Sequence, residues 1–70
     1  MSAVLKINGT EKIFEEGLPS NLSELLNTLA IDAATVVAEI DGRIVERKDF
    51  EKTTLNESQS IELIRFVGGG

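Results

Sequence analysis

Cysteine, histidine, tryptophan and tyrosine are all absent from this 70-residue chain, and it holds a single proline. Without Cys or His there is no thiol nucleophile, no imidazole base, no disulfide and no Cys/His zinc site, which removes most of the side chains used in covalent, acid–base and metal catalysis. A domain without disulfides is compatible with either redox compartment. Long apolar runs are missing too. None approaches the roughly 18 residues of a membrane helix, and Met1-Ser2-Ala3 begins neither the basic segment nor the apolar stretch of a secretory signal. A cytoplasmic location with no membrane partner is expected. Basic residues are in short supply, seven against twelve acidic, giving a net charge of −5 and a pI near 4.5. That is the wrong sign for neutralising phosphate backbones or anionic lipid, so nucleic acid is not an expected partner.

What is present is an ordinary globular composition, 41% hydrophobic and 27% charged with a mean hydropathy of +0.03, too apolar for disorder. A chain this short buries only about 60% of the surface its unfolded form exposes, which argues for one small domain without a large interior active site. The expected organisation is a domain over residues 1–67 and a flexible glycine tail over 68–70.

Along the chain, residues 3–8 alternate loosely, with Leu5 and Ile7 on one side, and run into Asn8-Gly9, a strong hairpin signal. A return strand over 10–14 follows, with Phe14 turned inward. The cluster 15–21 is a turn. Leu22, Leu25, Leu26 and Leu29 then recur at i, i+3, i+4, i+7, one face of a helix. Asn21 is its N-cap, with Ser20 as rival, and Glu24 stands at the spacing of a reciprocal capping box. The helix is expected to fade near Ala30. A second hairpin pairs 36–40 with 43–47 around Asp41-Gly42; Val36, Ala38 and Ile40 face in and Glu39 faces water. Residues 48–54 form an irregular or helical-turn connection pinned by Phe50 and Leu55, and 56–59 turn again. The last strand, 60–67, has the most regular period of two, with Ile61 and Leu63 on one face and Glu62, Ile64 and Phe66 on the other. The expected core is Leu5, Ile7, Leu25, Leu26, Leu29, Ile40, Ile61 and Leu63. Strand, strand, helix, strand, strand, strand is an α+β order. It closes with the first and last strands parallel at the centre of a mixed sheet of four to five strands, one main helix packed on one face: a β-grasp.

Two features carry chemistry. Gly68, Gly69 and Gly70 have no side chains to bury, so they make a narrow, flexible wire. The α-carboxylate of Gly70 is ionised at neutral pH, with a pKa of about 3.3–3.7, and is able to attack the α-phosphate of ATP held by another protein; a frayed end is the bland alternative. Ile64 and Phe66 fall on the helix-free face, where large apolar groups call for cover by a partner or by a folded-over loop. The carboxylate pair Glu15-Glu16 reads as solvated surface charge. No phosphate-binding glycine motif is present, and no metal or cofactor is expected.

The stretch Val37-Ala38-Glu39-Ile40-Asp41-Gly42-Arg43-Ile44-Val45-Glu46-Arg47, the later Ile61-Glu62-Leu63-Ile64-Arg65-Phe66 and the ending Val67-Gly68-Gly69-Gly70 resemble the sulfur-carrier proteins of thiamine (thiazole) biosynthesis, the ThiS family. Leu5-Lys6-Ile7-Asn8-Gly9 and the Leu25-Leu26 helix fit as well. Three departures fall in turns or strand starts. Glu46 stands where the family often has Pro, Ser58-Gln59 where it often has Gly-Asp, and the segment 17–21 is longer than usual.

The resemblance implies a ubiquitin-like β-grasp that is a carrier rather than an enzyme. Its Gly70 carboxylate is adenylated by an E1-like ATP-dependent adenylyltransferase and converted, with sulfur from a donor protein, to a thiocarboxylate that supplies thiazole synthase. Ile64, Phe66 and Val67 are then the partner-binding residues. The only sulfur in the chain is that of Met1, so cargo sulfur has to ride on the terminus. The alternatives are the small subunit of molybdopterin synthase, which uses the same terminal chemistry, a ubiquitin-like modifier of lysines, and a plain binding module with an inert tail.

Overall fold

The computed structural model describes residues 1–65. Its elements in chain order are β1 (Ala3–Ile7), β2 (Thr10–Phe14), α1 (Leu22–Thr28), a 3-10 turn (Ala33–Thr35), β3 (Val36–Ile40), β4 (Arg43–Val45), a longer 3-10 helix (Arg47–Lys52) and β5 (Ser60–Arg65). The five strands form one mixed sheet in the order β2-β1-β5-β3-β4. β1 and β5 run parallel at its centre, and every other pair is antiparallel.

Both hairpins turn as their residues dictate. Asn8 and Gly9 have φ of 51° and 82°, and Asp41 and Gly42 have 50° and 85°. Two consecutive positive φ values define the turn whose twist matches the flanking strands, and Asn, Asp and Gly enter that region at least cost. Asn8 and Gly9 therefore form the expected turn, and β1 ends at Ile7. Ser58, in the turn before β5, also carries a positive φ of 68°.

The helix starts and stops on identifiable bonds. Asn21 Oδ1 accepts from the Glu24 amide at 2.8 Å; the structure makes this half of the capping box and leaves the Glu24 side chain exposed. At the other end Ala30 N–H donates to Asn27 O at 3.0 Å and Ile31 N–H to Leu26 O at 2.9 Å, the pair of bonds that defines a Schellman cap. Ala30 holds the left-handed position of this cap with φ 58°, where glycine avoids the Cβ clash. Ala30→Gly is expected to stabilise the fold by up to about 1 kcal/mol, the relieved clash outweighing the extra flexibility of glycine. A higher urea midpoint at unchanged slope is the measurement.

Leu5, Leu22, Leu25, Leu26 and Ile61 are fully buried, joined by Val36, Ala38, Ile40, Phe50, Leu55 and Leu63. Ile7 and Leu29, expected in the core, are half-buried and pack against its rim, as does Phe14. β4 ends at Val45, two residues before the expected boundary. The chain leaves the sheet there because Phe50, 3% exposed, reaches the core from a 3-10 helix that begins at Arg47. Leu22 N–H donates to Thr53 O at 3.0 Å, tying the start of α1 to the end of that helix. The two sheet edges differ in kind: β2 carries exposed Thr10, Glu11 and Lys12, and β4 has only three residues.

Candidate functional site

β5 is the strand from which the chain continues into the glycines, so the site is built outward from it. Alternation puts Ile61 and Leu63 on the helix-covered face, where they are buried, and sends Glu62 and Ile64 to the open face, both exposed. Ile64 is 51% exposed and lies opposite Val37 of β3. Glu62 lies opposite Glu39, which in turn faces Ile44 of β4, 68% exposed. Glu39 is half-buried in that row rather than fully in water. Val37, Ile44 and Ile64 are thus apolar groups on one face, interrupted by two carboxylates directly across from each other. An open groove lined by Ala33, Val36, Val37, Ile44, Val45 and Arg47 runs along its β4 side. Ile13, 63% exposed, sits on the same face but at the far edge, paired with Val4.

The structure therefore places Ile64 where the period of β5 predicts. Phe66, Val67, Gly68, Gly69 and Gly70 lie outside the described residues, as does the expected continuation of the strand to residue 67. Glu15 and Glu16 are both exposed, in the turn after β2. Among the described residues no cluster of three or more His, Cys, Asp or Glu is placed to hold a metal ion. None of the described helices is long and apolar enough to cross a membrane.

Sequence reasoning missed what fixes β5. Both hairpin turns reach it with side chains. Asp41 Oδ1 accepts from the Ser60 amide at 2.9 Å while the Asp41 amide donates to Ser60 O at 2.8 Å. Asn8 accepts from the Leu63 amide at 2.7 Å through Oδ1 and donates from Nδ2 to Leu63 O at 3.3 Å. Asn-Gly and Asp-Gly announce turns; that their side chains grip a strand 19 and 55 residues away follows only once β5 has its register.

A mixed five-stranded sheet with parallel central strands and one helix across a single face is a ubiquitin-like β-grasp domain. The model of the ThiS family matches residues 3–70. The crystal structure of the thiamine biosynthesis protein ThiS from Geobacter metallireducens superposes with a TM-score of 0.79 at 33% identity, covering 96% of this chain and 99% of that one. The uncharacterized protein ycf40 of Porphyra purpurea is 32% identical over 66 residues, 94% of this chain and 90% of its own length. A thiazole synthase of Paramagnetospirillum magneticum is 30% identical over 66 residues; the match takes in 94% of this chain but spans only 20% of that protein. The chain belongs to the ThiS family, small carrier proteins that serve thiamine biosynthesis as sulfur carriers.

Proposed function

We propose that the carboxylate of Gly70 is the point at which this carrier is loaded. A carboxylate oxygen attacks the α-phosphorus of ATP bound in an E1-like adenylyltransferase, and pyrophosphate leaves. A sulfur nucleophile at the hydrosulfide level, delivered by a donor protein, then attacks the acyl carbon and AMP leaves, so that one oxygen of the terminus is exchanged for sulfur. The thiocarboxylate gives up that sulfur to thiazole synthase. The observation that carries the reading is the family match running through residue 70, which takes in all three glycines. A chain whose own sulfur is confined to Met1 supports it, as does the thiazole synthase relative that contains a segment similar to nearly all of this chain. Intact-mass measurement of the protein isolated from its native cells tests the proposal: a fraction heavier by the difference between sulfur and oxygen is expected, and its removal by alkylation of the terminus identifies the thioacid.

The open face is the docking surface in this reading, with Ile64 as its described centre; Phe66 and Val67, the next residues in sequence, are proposed as further partner-binding residues. Ile64 is 51% exposed and lies across from Val37 alone on β3, so its truncation costs the fold little and a complex that covers it more. Ile64→Ala is expected to weaken binding to the adenylyltransferase about tenfold, equivalent to about 1.4 kcal/mol, while the melting temperature stays within about 2 °C of the parent. Calorimetric titration beside thermal melting reads both quantities.

A further inference from the structure

Resting on that carrier reading, we infer that Asn8 is a positioning residue, whose side-chain amide takes the place of the missing next residue of β1 and holds the second half of β5 in line for docking. β1 pairs with β5 only at Lys6↔Ser60 and Ile7↔Ile61. Its last backbone bond to that strand is the Asn8 amide donating to Ile61 O at 2.8 Å, after which the chain reverses through Gly9. From Glu62 onward β5 is paired by backbone on the β3 side alone. Leu63 turns both its N–H and its C=O toward the vacated side, and the Asn8 side chain meets both, at 2.7 and 3.3 Å. A primary amide presents an acceptor and a donor on two separate atoms held side by side, which is what a strand backbone presents and what a single hydroxyl oxygen does not.

The choice of residue carries the inference. A turn with positive φ at both positions is served equally well by Gly or Asp in the first place. Glycine has no side chain to offer, and aspartate accepts but does not donate. Asp41 illustrates the lesser role: its carboxylate accepts from Ser60 N–H, while the matching bond to Ser60 O comes from its own backbone. Asn8 acts further along β5, at the residue immediately before Ile64, and through side-chain atoms alone. Loosening that point frees the exposed Ile64, so a partner has to order it on binding.

Asn8→Gly keeps the turn and removes the clamp, and Asn8→Asp keeps the bond from Leu63 N–H. In Asn8→Gly, hydrogen exchange at the Leu63 amide is expected to quicken at least tenfold. In pyrophosphate exchange with the adenylyltransferase of the thiamine pathway, KM for the carrier is expected to rise five- to tenfold with kcat within twofold, at a temperature where the variant is fully folded. Asn8→Asp is expected to recover most of the Leu63 protection and a KM within threefold of the parent. Faster exchange at Leu63 with KM unchanged overturns the positioning role and leaves Asn8 a structural staple. A parent chain that supports no pyrophosphate exchange overturns the carrier reading itself, a result told apart because it appears without any substitution.

Discussion

Adding one residue after Gly70, or deleting Gly70, is expected to abolish ATP-dependent adenylation and thiocarboxylate formation while the circular dichroism spectrum and melting temperature stay those of the parent. A carboxylate that attacks a nucleotide bound in another protein has to travel down a passage to it, and the chain behind it has to fit the same passage. At Gly68, Gly69 and Gly70 nothing projects from the backbone. From Arg65, five residues at about 3.3–3.6 Å each give a reach of at most about 18 Å, so a chain one residue longer is expected to put its carboxylate past the phosphorus and a shorter one to stop before it. Every buried hydrophobic side chain among the described residues lies between Leu5 and Leu63, which is why folding is indifferent to the change. Gly69→Val is expected to act in the same direction less completely, through a branched side chain that narrows the allowed backbone conformations as well as widening the chain. Pyrophosphate exchange beside intact-mass measurement reads the outcome; full activity in the extended protein removes the terminus from the mechanism.

Leu26→Ala is expected to destabilise the fold by about 2–5 kcal/mol, the range for truncating a buried leucine where the surroundings relax only in part. Leu26 is 1% exposed and lies on the helix face that covers the sheet, and its carbonyl accepts the Ile31 bond that closes the helix. For a domain of this size total stability is about 4–10 kcal/mol, so the variant melts roughly 10 °C or more below the parent and its unfolded fraction at ambient temperature becomes measurable. Urea denaturation with a lowered midpoint and an unchanged slope is the expected signature. A loss under 1 kcal/mol would place Leu26 at the rim of the core rather than in it.

The contrast between these two substitutions shows which parts of the molecule were legible in its sequence. The core of α1 was, because Leu22, Leu25 and Leu26 follow one helical face and Asn21 and Ala30 bracket them. Both hairpins were, because Asn-Gly and Asp-Gly have few other uses between apolar segments. The outward face of Ile64 followed from counting by two along β5. The boundaries that slipped are those set by tertiary contact: β4 stops early because Phe50 has to reach the core, and Ile7 and Leu29 are half-buried because Ile7 ends β1 and Leu29 is the cap just past α1. The grip of Asn8 and Asp41 on β5 was invisible for a different reason. A side-chain bond between residues 55 positions apart leaves no periodicity in the sequence, and the turn those residues make already accounts for their presence. The terminal glycines remain a chemical argument, made from composition and family membership rather than from contacts.

The edges of the sheet bear on how a protein with such a face survives at high concentration. Ile13, Ile44 and Ile64 stand exposed on one side, and exposed apolar sheet invites neighbouring chains to add their strands. Neither border offers them a template. β2 presents Thr10, Glu11 and Lys12 along its run, and β4 ends after three residues. Lateral growth of the sheet, the first step toward aggregation, is thereby discouraged at both ends, and the sticky surface is left facing outward in a form that another folded protein is able to cover and release.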